Sequence, residues 1–327
     1  MASAVPQATR VLQLARRGDR EGLGAVLRRN PDLLNKPSDG HNRTLLWEAA
    51  HAGRVDMVRW LVSEGADVDI PGRYRSETFV LVKPYTVAVL RKRTEIAEFL
   101  LDSGTVVDVY TAAFLGDDDR VMAAVGDDPV IVNADQPEET VWRVTPLHHA
   151  LAGGHASVVC TLLRHGVAVA DHAALAFDIA CRPARTDLVD LLLDAGSEPM
   201  AADVFSVVYA GDDGLAATFF GRGLDPDKPT AGWPPIVYVC RGDKGEHPDR
   251  VRILLRHGAD VSASGPRSVT ALHAAAKAGF ATVIPLLLDA GADPYARTDA
   301  GATPLELAIK HKRRAAEAVL RRAIKGS

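Results

Sequence analysis

Cysteine is scarce in this chain. Three residues, Cys160, Cys181 and Cys240, stand far apart, each within an apolar run. That excludes a disulfide framework and a cysteine-based zinc site, and it points to the reducing cytoplasm as the expected compartment. Long hydrophobic stretches are missing too. No apolar run approaches the ~18 residues of a membrane span, and the opening MASAVPQATRVLQLARR has no apolar core between its charges and a cleavage site, so neither a span nor an export signal is expected. There is no excess of positive charge: 38 Lys and Arg face 42 Asp and Glu, a formal charge of −4. This disfavours a nucleic-acid binder with a global positive field, so any basic patch must be local. Lysine is sparse, nine residues against 29 arginines, which beside abundant alanine fits a GC-rich bacterial genome and carries no functional information. Also lacking are a Gly-x-Ser-x-Gly elbow, a phosphate-cradling glycine loop and a cysteine in a catalytic context. Nucleophilic catalysis and nucleotide hydrolysis thus have no candidate, no catalytic motif is recognised, and no cofactor or metal is expected.

What is present is repetition. TLLWEAAHAGRVDMVRWLVSEGAD (44–67), TPLHHALAGGHASVVCTLLRHGVA (145–168), TALHAAAKAGFATVIPLLLDAGAD (270–293) and TPLELAIKHKRRAAEAVLRRA (303–323) align without gaps, and 83–104 and 175–196 fit the same frame. Thr44 to Gly65, Lys83 to Gly104, Thr145 to Gly166, Leu175 to Gly196 and Thr270 to Gly291 are each separated by 21 residues. Each copy reads as two short antiparallel helices. The first is Ala-rich, a turn often containing glycine follows, and the second carries an apolar stripe such as Val55, Val58, Trp60 and Leu61 before a closing glycine suited to the left-handed cap. Helices this short do not stand alone in water and must stack on their neighbours. Shorter units at 11–29, 109–125 and 204–220 share a Gly-Asp turn at Gly18, Gly116 and Gly211.

The unit resembles the ankyrin repeat, on the strength of Thr145-Pro146-Leu147-His148, Thr270-Ala271-Leu272-His273, Thr303-Pro304-Leu305 and the Gly-Ala-Asp closings at 65, 258 and 291. The resemblance, to a divergent and bacterial type of the family, implies an all-α, ankyrin-type α-solenoid of about ten helix-turn-helix repeats with short finger loops. The expected layout is a tail at 1–8, one array over 9–324 and a tail at 325–327. Within the array, short units lie near 9–35, 109–133 and 202–226, and fuller repeats near 39–69, 83–104, 145–169, 175–198, 233–261, 270–293 and 303–324. The loop DIPGRYRSETFVLV before Lys83 is longer than its counterpart before Thr303 and is expected to be an enlarged finger. RGDKGEHP (241–248) adds residues at a helix-to-helix turn. In the family, the His148 and His273 slot bonds a neighbouring loop, which disfavours a metal site at His148, His149, His155 and His165. The Asp clusters at 117–119, 127–128 and 212–213 fall at turns, where aspartate caps the next helix.

A solenoid works through its concave side and finger tips. The register places His51, Leu90, Phe114, Ala152, Arg182, Tyr209, Lys277 and Lys310 on the exposed side of the first helices, joined by Arg241, and the second half of that row is mostly cationic. Finger candidates are His41, Asn42 and Arg43, then Arg73, Tyr74, Arg75 and Glu77, then Glu138, Trp142 and Arg143, then Trp233 and Arg267. Trp47 is expected to be buried against the adjacent repeat. The partner-binding set expected from the sequence is therefore Arg73, Tyr74, Arg75, Phe114, Trp142, Arg143, Arg182, Tyr209, Trp233, Arg241, Lys277 and Lys310. It implies a non-enzymatic scaffold, adaptor or inhibitor whose protein partner carries an acidic patch, with nucleic acid disfavoured and no membrane partner. The alternative is a divergent enzyme or small-molecule binder with a pocket in the groove of the irregular repeats. Its marker would be polar groups such as Asp178, His149 or Glu48 converging on Arg182 or Tyr209.

Overall fold

The computed structural model describes residues 7–37, 41–74, 80–139, 143–242 and 245–326. The chain divides into two units, Met1–Ala168 and Val169–Ser327. Among the described residues, each unit holds five helical hairpins, and the fold is an all-α solenoid. In the first unit the hairpins are α1 (Gln7–Arg17) with α2 (Arg20–Leu27), α3 (Leu45–Ala52) with α4 (Val55–Ser63), α5 (Pro84–Leu90) with α6 (Thr94–Asp102), α7 (Val109–Leu115) with α8 (Asp118–Asp127), and α9 (Pro146–Gly153) with α10 (Ala156–Arg164). In the second they are α11 (Val169–Cys181) with α12 (Thr186–Asp194), α13 (Val204–Tyr209) with α14 (Asp213–Gly221), α15 (Pro235–Val239) with α16 (Pro248–Arg256), α17 (Ala271–Ala278) with α18 (Val283–Asp289), and α19 (Pro304–Lys310) with α20 (Arg314–Gly326). First helices pack on first helices, as α1 on α3, α3 on α5, α15 on α17 and α17 on α19, while second helices pack on second, as α4 on α6 and α16 on α18.

The local chemistry explains the boundaries. The first helices start where a threonine hydroxyl accepts the N–H three residues on: Thr44 from Trp47 at 3.2 Å, Thr270 from His273 at 3.4 Å and Thr303 from Glu306 at 3.3 Å. His273 returns the bond, its Nδ1 accepting from Thr270 N at 3.3 Å, while its Nε2–H donates to Ala296 O and Ala302 O at 3.1 Å each. That second bond is the loop contact the resemblance implied. α3, α7, α9 and α17 end on left-handed glycines, Gly53, Gly116, Gly154 and Gly279. The stripes then bury: Val58, Leu61, Leu162, Leu192, Leu254 and Leu287 have no exposed surface, each such side chain contributing about 1.5–3 kcal/mol relative to exposure. Trp47 is fully buried and its indole N–H donates to Val82 O at 2.9 Å.

Two elements depart from the sequence reading. α11 begins at Val169 and runs 13 residues, because VADHAALAF lacks the Thr-Pro start and its alanine-rich stretch continues as helix where other repeats turn outward. α20 continues to Gly326, through the expected tail. The long finger forms a hairpin at its base, β1 (Gly72–Arg73) against β2 (Leu81–Val82), antiparallel with Gly72 opposite Val82 and Arg73 opposite Leu81; residues 75–79 lie outside the described ones. A second hairpin pairs β3 (Ser264–Gly265) with β4 (Val269–Thr270).

Turn glycines also make room for the next repeat. A Cβ on Gly53 would lie 2.6 Å from Arg93 Nε, and one on Gly116 2.5 Å from His155 Nδ1, whereas one on Gly104 would meet nothing within 4 Å. Gly104→Ala should therefore cost only the left-handed backbone strain of about 1–2 kcal/mol. Gly116→Ala should lose about 1 kcal/mol or more beyond that by overpacking. Urea unfolding of the two variants checks the difference; equal losses would mean that His155 does not depend on the missing side chain.

Candidate protein-binding groove

In the second unit the largest cavity, about 890 Å³, runs between the first helices and the fingers of its last three repeats. It brings together four of the expected residues, Trp233, Arg241, Lys277 and Lys310, and adds Arg267, His273, Leu307 and His311. The fingers are shaped by backbone that few residues adopt. Thr230 and Trp233 exchange N–H to O bonds at 2.9 and 3.0 Å around Ala231 and Gly232, whose φ values are 50° and 78°, a two-residue turn of the hairpin kind. The next finger turns through Arg267 and Ser268 at φ 65° and 56°, and Arg267 O accepts from Asp299 N at 3.1 Å in the finger after that.

Trp233 lies flat on Gly265: a Cβ there would sit 2.3 Å from the indole Cε3. The Arg241 guanidinium stacks 4.3 Å from the Trp233 ring centroid and 5.7 Å from that of Tyr238. Arg241, Arg267, Lys277 and Lys310 are all exposed, and none has an ion-pair partner among the described residues. Asp299 is the one carboxylate lining the groove among those residues, and it accepts the Ser268 hydroxyl.

The other expected residues lie elsewhere. In the first unit Arg73 pairs with Glu139 at 3.5 Å, and its carbonyl accepts from Arg43 Nε at 2.9 Å. Arg43 also bonds Glu48 at 3.1 Å and lies 4.6 Å over Trp47, holding the base of the long finger. Tyr74 meets His51 edge-on at 6.3 Å. Burial and the nearby Arg91 push the His51 imidazole down to about 4, and its Nε2 accepts from Arg91 Nη2 at 2.7 Å. Arg143 is exposed and bonds Asp135 at 3.0 Å. In the second unit Arg182 pairs with Asp178 at 3.0 Å, and Asp178 also accepts from Ser206. Tyr209 lies 3.7 Å under the Arg250 guanidinium. Arg75 and Trp142 fall outside the described residues.

Phe114 corrects the sequence reading: it is buried, 3% exposed, and offers a partner no surface. Its register slot is exposed in other repeats, but here α9 comes so close that a Cβ on Gly153 would lie 2.2 Å from Phe114 O, and His149 packs edge-on at 6.1 Å. Missed altogether were His311, Arg250 and Tyr238, the last two because the extra residues at 241–248 shift that repeat out of frame.

The groups named as markers of a catalytic pocket are each engaged locally: Glu48 by Arg43, Asp178 by Arg182 and Ser206, and His149 by Gln136, whose Oε1 accepts from His149 Nε2 at 3.0 Å.

The comparisons with known proteins agree with this geometry. The family described as "Ankyrin repeats (many copies)" matches residues 254–308, and that described as "Ankyrin repeat" matches 41–73 and 143–174. The repeats are ankyrin repeats. The ankyrin repeat domain of Bcl-3, a member of the IkappaB protein family, superposes with a TM-score of 0.54 at 24% identity, covering 67% of this chain and 99% of that one. The human ASB11 ankyrin repeat domain gives 0.53 at 28%, covering 65% and 96%. Among curated proteins, alpha-latrocrustotoxin-Lt1a of Latrodectus tredecimguttatus is 25% identical over 274 residues, 80% of this chain. The ankyrin repeat and KH domain-containing protein mask-1 of Caenorhabditis elegans is 24% identical over 277 residues, 78% of this chain. The chain spans only 17% and 10% of the length of those two relatives. Among the described residues, no helix of this ankyrin array is long and apolar enough to cross a membrane.

Burial pushes His149 down to about 3, so the folded array keeps it neutral. An unfolded imidazole titrates near ~6.5, so the unfolded chain binds the extra proton over that interval and stability falls as the pH drops below it. From pH 7 to pH 5 His149 should remove roughly 2 kcal/mol. His149→Gln should flatten the pH dependence of urea unfolding; a variant as acid-sensitive as the parent would contradict this assignment.

Proposed function

We propose that this chain is a non-enzymatic interaction scaffold, an adaptor or an inhibitor, which grips a partner protein in the groove of its second unit, and that the partner presents an acidic surface there. Ankyrin repeats in general mediate protein–protein contacts. The observation that carries the more specific reading is the lining of one groove: four exposed cations, Arg241, Arg267, Lys277 and Lys310, against the single carboxylate Asp299, beside a half-exposed Trp233. The chain as a whole is acidic, with a formal charge of −4, so this concentration of cations does not follow from overall composition. Arginine and tryptophan are the side chains most often found at energetic centres of interfaces, and a cationic wall steers an acidic partner toward them. A cytoplasmic setting fits the thiols: Cys181 and Cys240 are unpaired and buried, and burial raises both, leaving them to act as small apolar groups.

The test is recovery of binding partners on the immobilised chain, compared with a Trp233→Ala plus Lys277→Glu variant and with Arg143→Ala as a control on the first unit. A specific partner should be lost by roughly tenfold or more on the double variant, retained by the control, and released by salt. Equal recovery on all three would remove the groove from consideration.

A further inference from the structure

At one end the groove narrows into a recess of about 180 Å³ lined by Arg241, Gly242, Lys277, Ala278, His311 and Arg313. Small residues create it. A Cβ on Gly242 would come within 3.0 Å of the Ala278 Cβ, so the turn after α15 sits against the end of α17, and Arg241 and Lys277 line the same small space. Arg313 is positioned from the other side. It packs over Gly279, and its Nε donates to Lys277 O at 3.0 Å. Its two Nη groups have no partner among the described residues. The Arg241 guanidinium is stacked by its face on Trp233, which leaves its in-plane N–H groups available, and no acceptor meets them among those residues.

The carboxylate of Glu246 does not neutralise these cations by pairing with them. Its Oε1 accepts from Thr282 N at 2.7 Å and Val283 N at 3.0 Å, capping α18. Two guanidiniums and an ammonium around so small a space suit concentrated negative charge better than a single carboxylate. A phosphorylated side chain brings about −1.5 to −2 charges and three acceptor oxygens on one atom, and arginine forks bind such oxygens in pairs.

We infer that this recess receives a phosphorylated serine or threonine of the segment that occupies the groove. The inference rests on the groove being the partner-binding site, with Trp233 holding the flanking part of the same segment.

The experiment uses the full chain and three immobilised pools of degenerate nonapeptides whose central residue is phosphoserine, glutamate or serine. The phosphoserine pool should retain at least tenfold more chain than either of the others. Lys277→Gln, at an exposed position with no side-chain partner among the described residues, should remove that advantage while its thermal melt stays unchanged. Trp233→Ala should weaken retention on the phosphoserine and glutamate pools alike. Equal retention by glutamate and phosphoserine would overturn the phosphate recess and leave the acidic groove standing. A phosphoserine advantage that Lys277→Gln removes and Trp233→Ala leaves untouched would support the recess and dismiss the groove as its extension. A phosphoserine pool no better than serine would overturn the recess outright.

Discussion

No hairpin in this protein can satisfy its own backbone. The polar groups left open where each second helix ends are met by the repeat before it. The N–H two residues beyond a closing glycine is accepted by a side chain of the preceding repeat: Asp67 N by Asn35 at 2.8 Å, Val106 N by Asp69 at 3.2 Å, Ala168 N by Asn133 at 2.8 Å and Asp260 N by Asp227 at 3.0 Å. Asn35 and Asn133 bond twice, their amide groups also donating to the glycine carbonyls Gly65 O and Gly166 O at 3.2 and 3.4 Å. Such a contact sets the register as well as stabilising it, since a slip of one residue would strand both partners. The burial of the apolar stripes supplies most of the energy, but these side chains decide which position stacks on which.

The same economy appears around Lys83. This lysine starts α5, is nearly buried, and donates to Val106 O at 2.8 Å while pairing with Asp108 at 2.9 Å and Asp69 at 3.4 Å. Burial alone would raise the Asp108 carboxyl, but hydrogen bonds from Lys83 and Thr111 outweigh it and hold it below its ordinary value. Asp108 caps α7, and Asp69 accepts from Val106 N. One cation thus joins the loops of three successive repeats at a place where the Thr-Pro start is absent. Where the repeat consensus weakens, an ionic cluster carries the connection.

How much of this the sequence discloses depends on whether the physics is periodic. The 21-residue interval between Thr44 and Gly65 or Thr270 and Gly291 is legible because every copy needs the same cap, turn and closing glycine. Lys277 and Lys310 follow from that register, and Trp233 from standing in a loop where no stripe needs it. Phe114 does not follow, because its exposure depends on how closely another repeat approaches, which is decided by Gly153 rather than by anything beside it. The bridging Asn35 and Asn133 were equally hidden, since their partners lie 32 and 35 residues away and each looks locally like an ordinary turn residue. Arg241 and Arg313 could be seen as cations, but their convergence depends on Gly242 meeting Ala278, a contact between two repeats.

The basic groove itself is a consequence of stacking. Each first helix ends with its carbonyls, the negative pole of its dipole, and a cation there stabilises it by about 0.3–1 kcal/mol. Stacking α15, α17 and α19 gathers three such ends along one rim, with Arg241 just past the first, Lys277 inside the second and Lys310 closing the third. Cations that favour three separate helices therefore come to face one cavity at little cost to folding. Helix chemistry alone would scatter their side chains in water. What turns the row into a wall is the finger architecture: Trp233 is held between the flat face of Gly265 and the Arg241 guanidinium, and Asp299 joins its finger to the one carrying Arg267. A surface ordered in this way before a partner arrives spends less conformational entropy on binding than free lysines would. That preorganisation, more than the number of charges, separates this groove from an ordinary solvated helix face.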